Sequence, residues 1–428
     1  MTSVWNRWAQ FERERSAILL LLFQGILTFL VVPVATANLT SQESSTFIIA
    51  WSVLNTSTLA VFSPVELMAP AIVKRFGIDS PTTQPNVLLI NRFYIVAGVL
   101  TAAVVPIIVG LLTGDWDVQL MVASAIYVLA FALFSLFRSR SFGLDQIARA
   151  AMQTGVALLL WLPLAGLLIL TEKITIASLI ISVAAAYALA TILLVSGSVK
   201  TLWKSGELIE RGTRPTNARE LAGQYSNVAA SGLATLLIQQ IGVLLAAVID
   251  TPPEVIVTYG SALVLVRAGF AALSSLTPPF AVRYANYRNE QNRAAYLKLF
   301  ALHSAMLLLT IFLAGIAAAT FGEEFLELYT NQPSALGPGL LVLVCLGEGF
   351  TILSIVPRLI LVNESRTRIL SIIFPIGAIV SAAVVLIPTA VEPSLRLALA
   401  PLTGGLLICV VLFPVATRQL LKIKHAGG

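Results

Sequence analysis

The sequence predicts an all-α polytopic membrane protein of about twelve transmembrane helices, in two six-helix lobes with both termini cytoplasmic. Three observations carry that prediction: an extreme apolar composition, apolar runs of bilayer-spanning length, and basic residues gathered on alternate loops. Of the 428 residues, 57% are hydrophobic and only 11% are charged. A soluble domain carries about 25% charged residues, so too little polar surface is left to cover a water-soluble particle. Mean hydropathy is correspondingly high, at +0.90. The apolar runs reach about twenty residues or more, enough to cross a roughly 30 Å hydrocarbon core as helix. Alternating strand patterns of roughly ten residues, which a membrane barrel needs, are absent.

The spans fall near 16–37, 45–73, 87–112, 116–137, 148–170, 174–198, 222–248, 255–281, 297–320, 337–362, 367–389 and 394–417. Cytoplasmic loops of membrane proteins collect Lys and Arg, which gives an independent check on the count. With the N-terminus inside, 23 of the 27 basic residues fall on inner segments. Among them are the turn Arg138–Arg140 before helix 5 and the stretch from Lys200 to Arg219. Lys173 and Arg396 fall outside, and Arg267 and Arg358 lie within spans. The outer loops are short and acidic, with Asp115, Asp117, Asp250, Glu254, Glu323, Glu324 and Glu327. One helix more or fewer would scramble this alternation, so the net charge of +6 is a record of topology and not of nucleic-acid affinity. The N-terminal basic residues, the apolar run and Ala35-Thr36-Ala37 imitate a cleaved signal peptide. The apolar stretch is longer than a typical signal core and is read as the first span.

The longest polar stretch follows helix 6 and divides the chain into residues 1–199, a linker at 200–221, and residues 222–428. An internal repeat supports that division. Helix 2 ends in Met68-Ala69-Pro70-Ala71-Ile72-Val73-Lys74-Arg75-Phe76, and helix 8 in Leu276-Thr277-Pro278-Pro279-Phe280-Ala281-Val282-Arg283-Tyr284. A Pro and then an Arg-aromatic pair recur at matching offsets. Helices 2 and 8 run in the same direction, so the halves are expected to be related by a parallel pseudo-twofold along the membrane normal, with a path between the lobes. No segment outside the bilayer is long enough for a catalytic domain, which favours moving a substrate over transforming it. The two cysteines, Cys345 and Cys409, lie inside apolar runs, and His303 and His425 have no partner at ligand spacing. No metal, no other cofactor and no nucleic acid is expected.

Charges at membrane depth cost about 2.5–3.5 kcal/mol on insertion scales, so each is a functional candidate. Arg267 and Glu348 lie near the middles of helices 8 and 10. Arg267 either faces a cavity, its forked donors suited to phosphate or carboxylate oxygens, or pairs with Glu348; the two readings are compatible. Glu66 is either a coupling-ion site or a carboxylate hydrogen-bonded near Pro64 and Pro70. Arg358 lies near a helix end, from which it can snorkel to the interface. Gln24, Asn55, Gln239 and Gln240 add neutral polar groups at depth. Singly, each reads as an interhelical hydrogen bond, worth about 0.6 kcal/mol in membranes; as a set they could line the path.

Other cues run along the chain. Asn38-Leu39-Thr40 with Glu43 leads into a long helix 2 ending near Lys74-Arg75-Phe76, and Ser135-Leu136-Phe137-Arg138-Ser139-Arg140 makes a basic turn before helix 5. Ile249-Asp250 with Glu254 and Thr258-Tyr259-Gly260-Ser261-Ala262 follows helix 7, and Phe321-Gly322-Glu323-Glu324-Phe325 closes helix 9 as a turn. In their order and spacing these resemble the multidrug/oligosaccharidyl-lipid/polysaccharide (MOP) exporter superfamily, and within it the Wzx-type polysaccharide flippases. The resemblance implies a V-shaped pair of six-helix lobes in the cytoplasmic membrane. It implies alternating-access transfer of a polyprenyl-phosphate-linked oligosaccharide for the cell envelope, with membrane lipids and polysaccharide-assembly proteins as partners. Arg267 matches the family's helix 8 arginine and would bind phosphate, with Gln24, Asn55, Gln239 and Gln240 towards the sugar. The family also carries basic residues in helices 1 and 2, where this chain has Gln24, Asn55 and Glu66; that departure counts against a strongly anionic diphosphate. The rival readings are a proton-coupled antiporter using Glu66 or Glu348, a membrane glycan polymerase or transferase, and a scaffold that no longer transports. A major facilitator would share the helix count, but its Gly-x-x-x-Asp-Arg-x-Gly loop is missing.

Overall fold

A computed structural model describes residues 26–76, 83–143, 147–195, 218–274, 292–364, 366–387 and 391–422, with the isolated positions 19, 23, 280, 283, 284 and 287. The described elements are helices: α1 (Ile26–Asn38), α2 (Ser41–Phe76), α3 (Thr83–Thr113), α4 (Val118–Gly143), α5 (Ile147–Leu170), α6 (Ile176–Val195) and α7 (Ala218–Ala246). After a 3-10 turn at Ala247–Ile249 come α8 (Pro253–Ser274), α9 (Arg293–Thr330), α10 (Pro338–Leu353), α11 (Ile355–Asn363), α12 (Thr367–Leu386) and α13 (Pro393–Leu421). Among the described residues eleven segments are long and apolar enough to cross a membrane, α10 and α11 counting as one, and α1 is a shorter apolar helix. These are the twelve helical segments the apolar runs predict.

Local chemistry sets the boundaries. Thr40 and Glu43 form a capping box at the start of α2: the Glu43 amide donates to Thr40 Oγ1 at 3.3 Å, and the Thr40 amide donates to Glu43 Oε2 at 3.0 Å. Thr175 and Ser178 exchange the same reciprocal pair before α6. Asn292 caps α9 by accepting from the Ala295 amide at 3.1 Å. Pro338 and Pro393 open α10 and α13, where a missing N–H costs nothing. Two expectations are corrected. The stretch Phe321-Gly322-Glu323-Glu324-Phe325 is not a turn, because α9 runs through it to Thr330 and stops at Asn331 in the left-handed region, φ 53°. Helix 10 is not continuous, because it breaks between Leu353 and Ile355, just before Pro357.

The described residues fall into two compact units: those up to Leu39 together with Ile49–Leu233, and Thr40–Ile48 together with those from Ala234 onward. In the first, α4 packs on α3, α5 and α6 around an aromatic core. Trp51 meets Tyr127 at 5.5 Å, Phe62 stacks on Tyr94 at 5.4 Å, and Tyr187 lies 4.6 Å from Phe134. In the second, α10 packs on α8, α9 and α13, and α12 on α13. It holds a mainly aliphatic cluster around Ile238, Leu361, Phe374, Ile408 and Leu412 and an aromatic one, where Tyr284 lies 5.4 Å from Tyr296. The same partnerships recur with a shift of six spans: third with fourth, fourth with last, fifth with last. Large apolar side chains such as Leu111, Leu159, Leu170, Phe312 and Leu328 point outward, as the absence of a hydrophobic penalty in lipid allows.

Candidate functional site

The second unit gathers its deepest polar groups at one place. Glu348 sits mid-way along α10 and its side chain is 0% exposed. Gly347 and Gly349 flank it and let two neighbours close in. A Cβ on Gly347 would lie 2.7 Å from the Leu402 amide nitrogen of α13, and one on Gly349 would lie 2.7 Å from Ile311 Cγ1 of α9. The carboxylate is thereby sealed from lipid on both flanks and faces α7 and α8. Arg267, fourteen residues and about 21 Å along α8, donates from Nη2 to Glu348 Oε1 at 2.7 Å. Gln239 of α7 donates from Nε2 to Glu348 Oε2 at 2.9 Å. The same Arg267 nitrogen also donates to the Gln239 backbone carbonyl. Both carboxylate oxygens therefore have a donor, which a buried charge needs.

The guanidinium is only partly used. Its Nε is buried and has no hydrogen-bond partner, while the side chain as a whole is 22% exposed. Tyr259, eight residues or about two turns before Arg267 on α8, braces the helices around the cluster. Its ring lies against Gly242 of α7, where a Cβ would fall 2.7 Å from Cε1, and its hydroxyl donates to the Leu397 carbonyl of α13 at 2.8 Å. This arrangement is an ion pair with amide and tyrosine support, an arginine fork half free. It can exchange one anionic oxygen for another.

Of the residues singled out from the sequence, the structure brings Arg267, Glu348 and Gln239 together. Gln240 lies about 100° round α7 from Gln239 and outside the cluster. Asn55 is in the first unit, donating to the Trp51 carbonyl at 3.0 Å and accepting from the Tyr127 hydroxyl at 3.4 Å. Gln24 and the Glu66 side chain lie outside the described residues. Arg358 is half-buried on α11 with its guanidinium 5.6 Å from the Phe374 ring centre. Four polar groups were not anticipated. Arg138 is buried on α4 over the Phe134 ring, at 5.3 Å, because α4 continues to Gly143 through what reads as a basic turn. Gln153 of α5 donates to the Phe134 carbonyl at 3.1 Å and to Thr191 Oγ1 at 3.3 Å; a lone amide in the apolar run of helix 5 was its signal. His303 of α9 stacks on Phe280 at 4.0 Å and shares a 3.4 Å hydrogen bond with the Tyr284 hydroxyl. Arg396 donates from Nη1 to the Val385 and Ile387 carbonyls at 3.2 and 3.3 Å, which accounts for one of the basic residues outside the charge pattern.

The helix order and packing match known transporters over nearly their whole length. An inward-facing multidrug-resistance MATE transporter of the MOP superfamily superposes with a TM-score of 0.67 at 11% identity, covering 94% of this chain and 96% of that one. An outward-facing MATE transporter gives 0.66 at 9% identity, over 97% and 96%. A MOP-superfamily transporter from Pyrococcus furiosus gives 0.66 at 12% identity, over 98% and 96%. The fold is that of a MATE transporter. No protein-family model matches the sequence, and no curated protein matches it either. On the MATE fold, Gln239, Arg267 and Glu348 occupy the first, second and fourth spans of the second half, whereas Asn55 and Tyr127 make the comparable second-to-fourth contact in the first half.

Proposed function

We propose that the chain moves a polyprenyl-phosphate-linked saccharide across the cytoplasmic membrane by alternating access, as a flippase and not an enzyme. The observation that carries this reading is the Arg267 fork at membrane depth, its Nε unbonded and its Nη2 held by a displaceable carboxylate. A phosphate oxygen is the ligand such a fork fits best. The fold supports alternating access, since transporters with this fold are known in both inward-facing and outward-facing conformations. The Pyrococcus furiosus transporter is described as having a binding pocket of reverse polarity that suggests a different function, so the fold tolerates changes of pocket charge. Gln239 would orient the phosphate or the first sugar.

The test is mass spectrometry of lipid-linked glycans from cells depleted of the protein. Accumulation of one full-length prenyl-linked unit is expected, restored by the wild-type gene and not by Arg267→Ala. An unchanged lipid pool would remove the flippase reading. The second reading, a proton-coupled antiporter of a drug or metabolite, rests on Glu348 being a fully buried carboxylate. It predicts drug resistance or metabolite exchange that Glu348→Gln abolishes while the lipid pool stays normal.

A further inference from the structure

We propose that Tyr259 is a positioning residue for the buried ion pair: its hydroxyl supplies the hydrogen bond that Pro401 removes from α13, and so fixes Glu348 against the Arg267 fork. The consequence for transport rests on the reading above, but the placement itself does not. It starts from a missing donor. In an α-helix the carbonyl of residue i accepts from the N–H of residue i+4, so the donor owed to Leu397 belongs to residue 401. That residue is Pro, which has no N–H, and it lies inside an otherwise continuous α13. Leu397 and Pro401 are both buried, and a buried carbonyl left bare costs about as much as a lost hydrogen bond. Tyr259 answers from α8, its hydroxyl donating to the Leu397 carbonyl at 2.8 Å.

The turn that Tyr259 completes is the one on which Glu348 is seated. A Cβ on Gly347 would lie 3.0 Å from both the carbonyl carbon and Cγ of Pro401, and one on Gly405 would lie 2.9 Å from Thr351 Oγ1. The turn of α10 from Gly347 to Thr351, which carries Glu348, therefore rests directly on α13 at the proline. The same tyrosine reaches the donors. Arg267 stands on its own helix, and its ring lies against Gly242 of α7, three residues after Gln239. One rigid side chain thus ties together α7, α8 and α13, and through them Gln239, Arg267 and the seat of Glu348. The bonds it holds in register are short, 2.7 Å from Arg267 and 2.9 Å from Gln239. A slip of α13 by about 1 Å would carry them out of hydrogen-bonding range.

Two measurements on the purified protein test this, and neither needs a substrate. Tyr259→Phe keeps the ring and leaves the Leu397 carbonyl bare, whereas Pro401→Ala gives that carbonyl back a backbone donor. In detergent, Tyr259→Phe should lower the thermal midpoint, and Tyr259→Phe/Pro401→Ala should recover most of the loss. An equal loss from Tyr259→Phe in the wild-type and Pro401→Ala backgrounds overturns the proposal, because the hydroxyl would then not stand in for the missing donor. The second measurement separates positioning from stability alone. The infrared difference between the protein and Glu348→Gln isolates the two carboxylate stretches of Glu348, whose splitting changes when its two oxygens are unequally hydrogen-bonded. Tyr259→Phe, set against its own Glu348→Gln control, should shift that splitting, and adding Pro401→Ala should return it to the wild-type value. A splitting that Tyr259→Phe leaves unmoved, or the absence of Glu348 carboxylate stretches from the wild type, overturns the positioning role whatever the midpoint does. An unchanged lipid-linked glycan pool in depleted cells would remove the flippase reading and leave this proposal standing.

Discussion

A guanidinium reaches a carboxylate and a backbone carbonyl from one nitrogen and still presents further donors; an ammonium at the same place is a point charge on a flexible stem. Arg267→Lys is therefore expected to keep the charge but lose geometry. A hydrogen bond to a charged group is worth about 1.5–3 kcal/mol, so transport in reconstituted vesicles should fall by roughly ten- to a hundredfold. Stability follows a different rule. Breaking a buried pair by removing one member costs about 3–5 kcal/mol, whereas replacing both by apolar residues is close to neutral. Arg267→Leu and Glu348→Leu should each lower the thermal midpoint in detergent, and the double variant should recover most of the loss. If the double variant is the least stable of the three, the pair is not the isolated unit described. These two residues were legible in the sequence because charge at membrane depth is costly and rare. Arg138 was not, since it stands in a run of basic residues at a helix end, and only the extra turn of α4 that carries it inward reveals it. His303 was set aside for want of a ligand partner, while its actual partners, Phe280 and Tyr284, approach from the segment preceding α9.

Helices in this protein approach each other at glycines, and the consequence is local. At Gly347 an added methyl would meet backbone atoms of α13, 2.7 Å from Leu402 N and 3.0 Å from Pro401 C. Backbone cannot step aside, so Gly347→Ala should cost about 1–3 kcal/mol, seen as a lower thermal midpoint and weaker transport. Gly166 has nothing within 4 Å of its would-be Cβ. There Gly→Ala should be neutral, or stabilising by up to about 1 kcal/mol through helix propensity. Arg396 makes a second prediction at this level: Arg396→Ala removes the donor to the last carbonyls of α12, and amide exchange near Val385–Ile387 should speed up while α13 stays protected. Element existence was readable from apolar run length, yet the break in helix 10 was not. Pro357 is one of several prolines inside spans, and Pro106, Pro163 and Pro375 all sit within unbroken helices. At the break Ser354 turns its hydroxyl onto the Thr351 carbonyl, at 2.5 Å, and nothing in the string of letters sets Pro357 apart from the other three. The end of α9 was misplaced for the opposite reason: Gly322 suggests a stop, but Leu341 of α10 packs against it and the helix continues.

At the scale of the whole chain, two units with recurring helix partnerships differ in their deep polar groups, an Asn55–Tyr127 contact in one and a buried ion pair at the comparable place in the other. Composition and charge alternation made the twelve-span architecture legible, because both are set by the bilayer and not by any one contact. The division of labour between the units was not, since it depends on which polar groups meet. One dimension of the molecule has a bearing on where it works best. The helix α9 has 38 residues, about 57 Å of helix, and its outward apolar side chains run from Leu302 to Phe321, 51% and 69% exposed, before the exposed Glu324 and Glu327 interrupt them. That stripe is about 29 Å long against a hydrocarbon layer of about 30 Å, so the last turns of α9 stand beyond the hydrocarbon. Transport in vesicles should therefore be highest at acyl-chain lengths that give this thickness and fall in thinner or thicker bilayers, and a flat response would mean that tilt absorbs the difference.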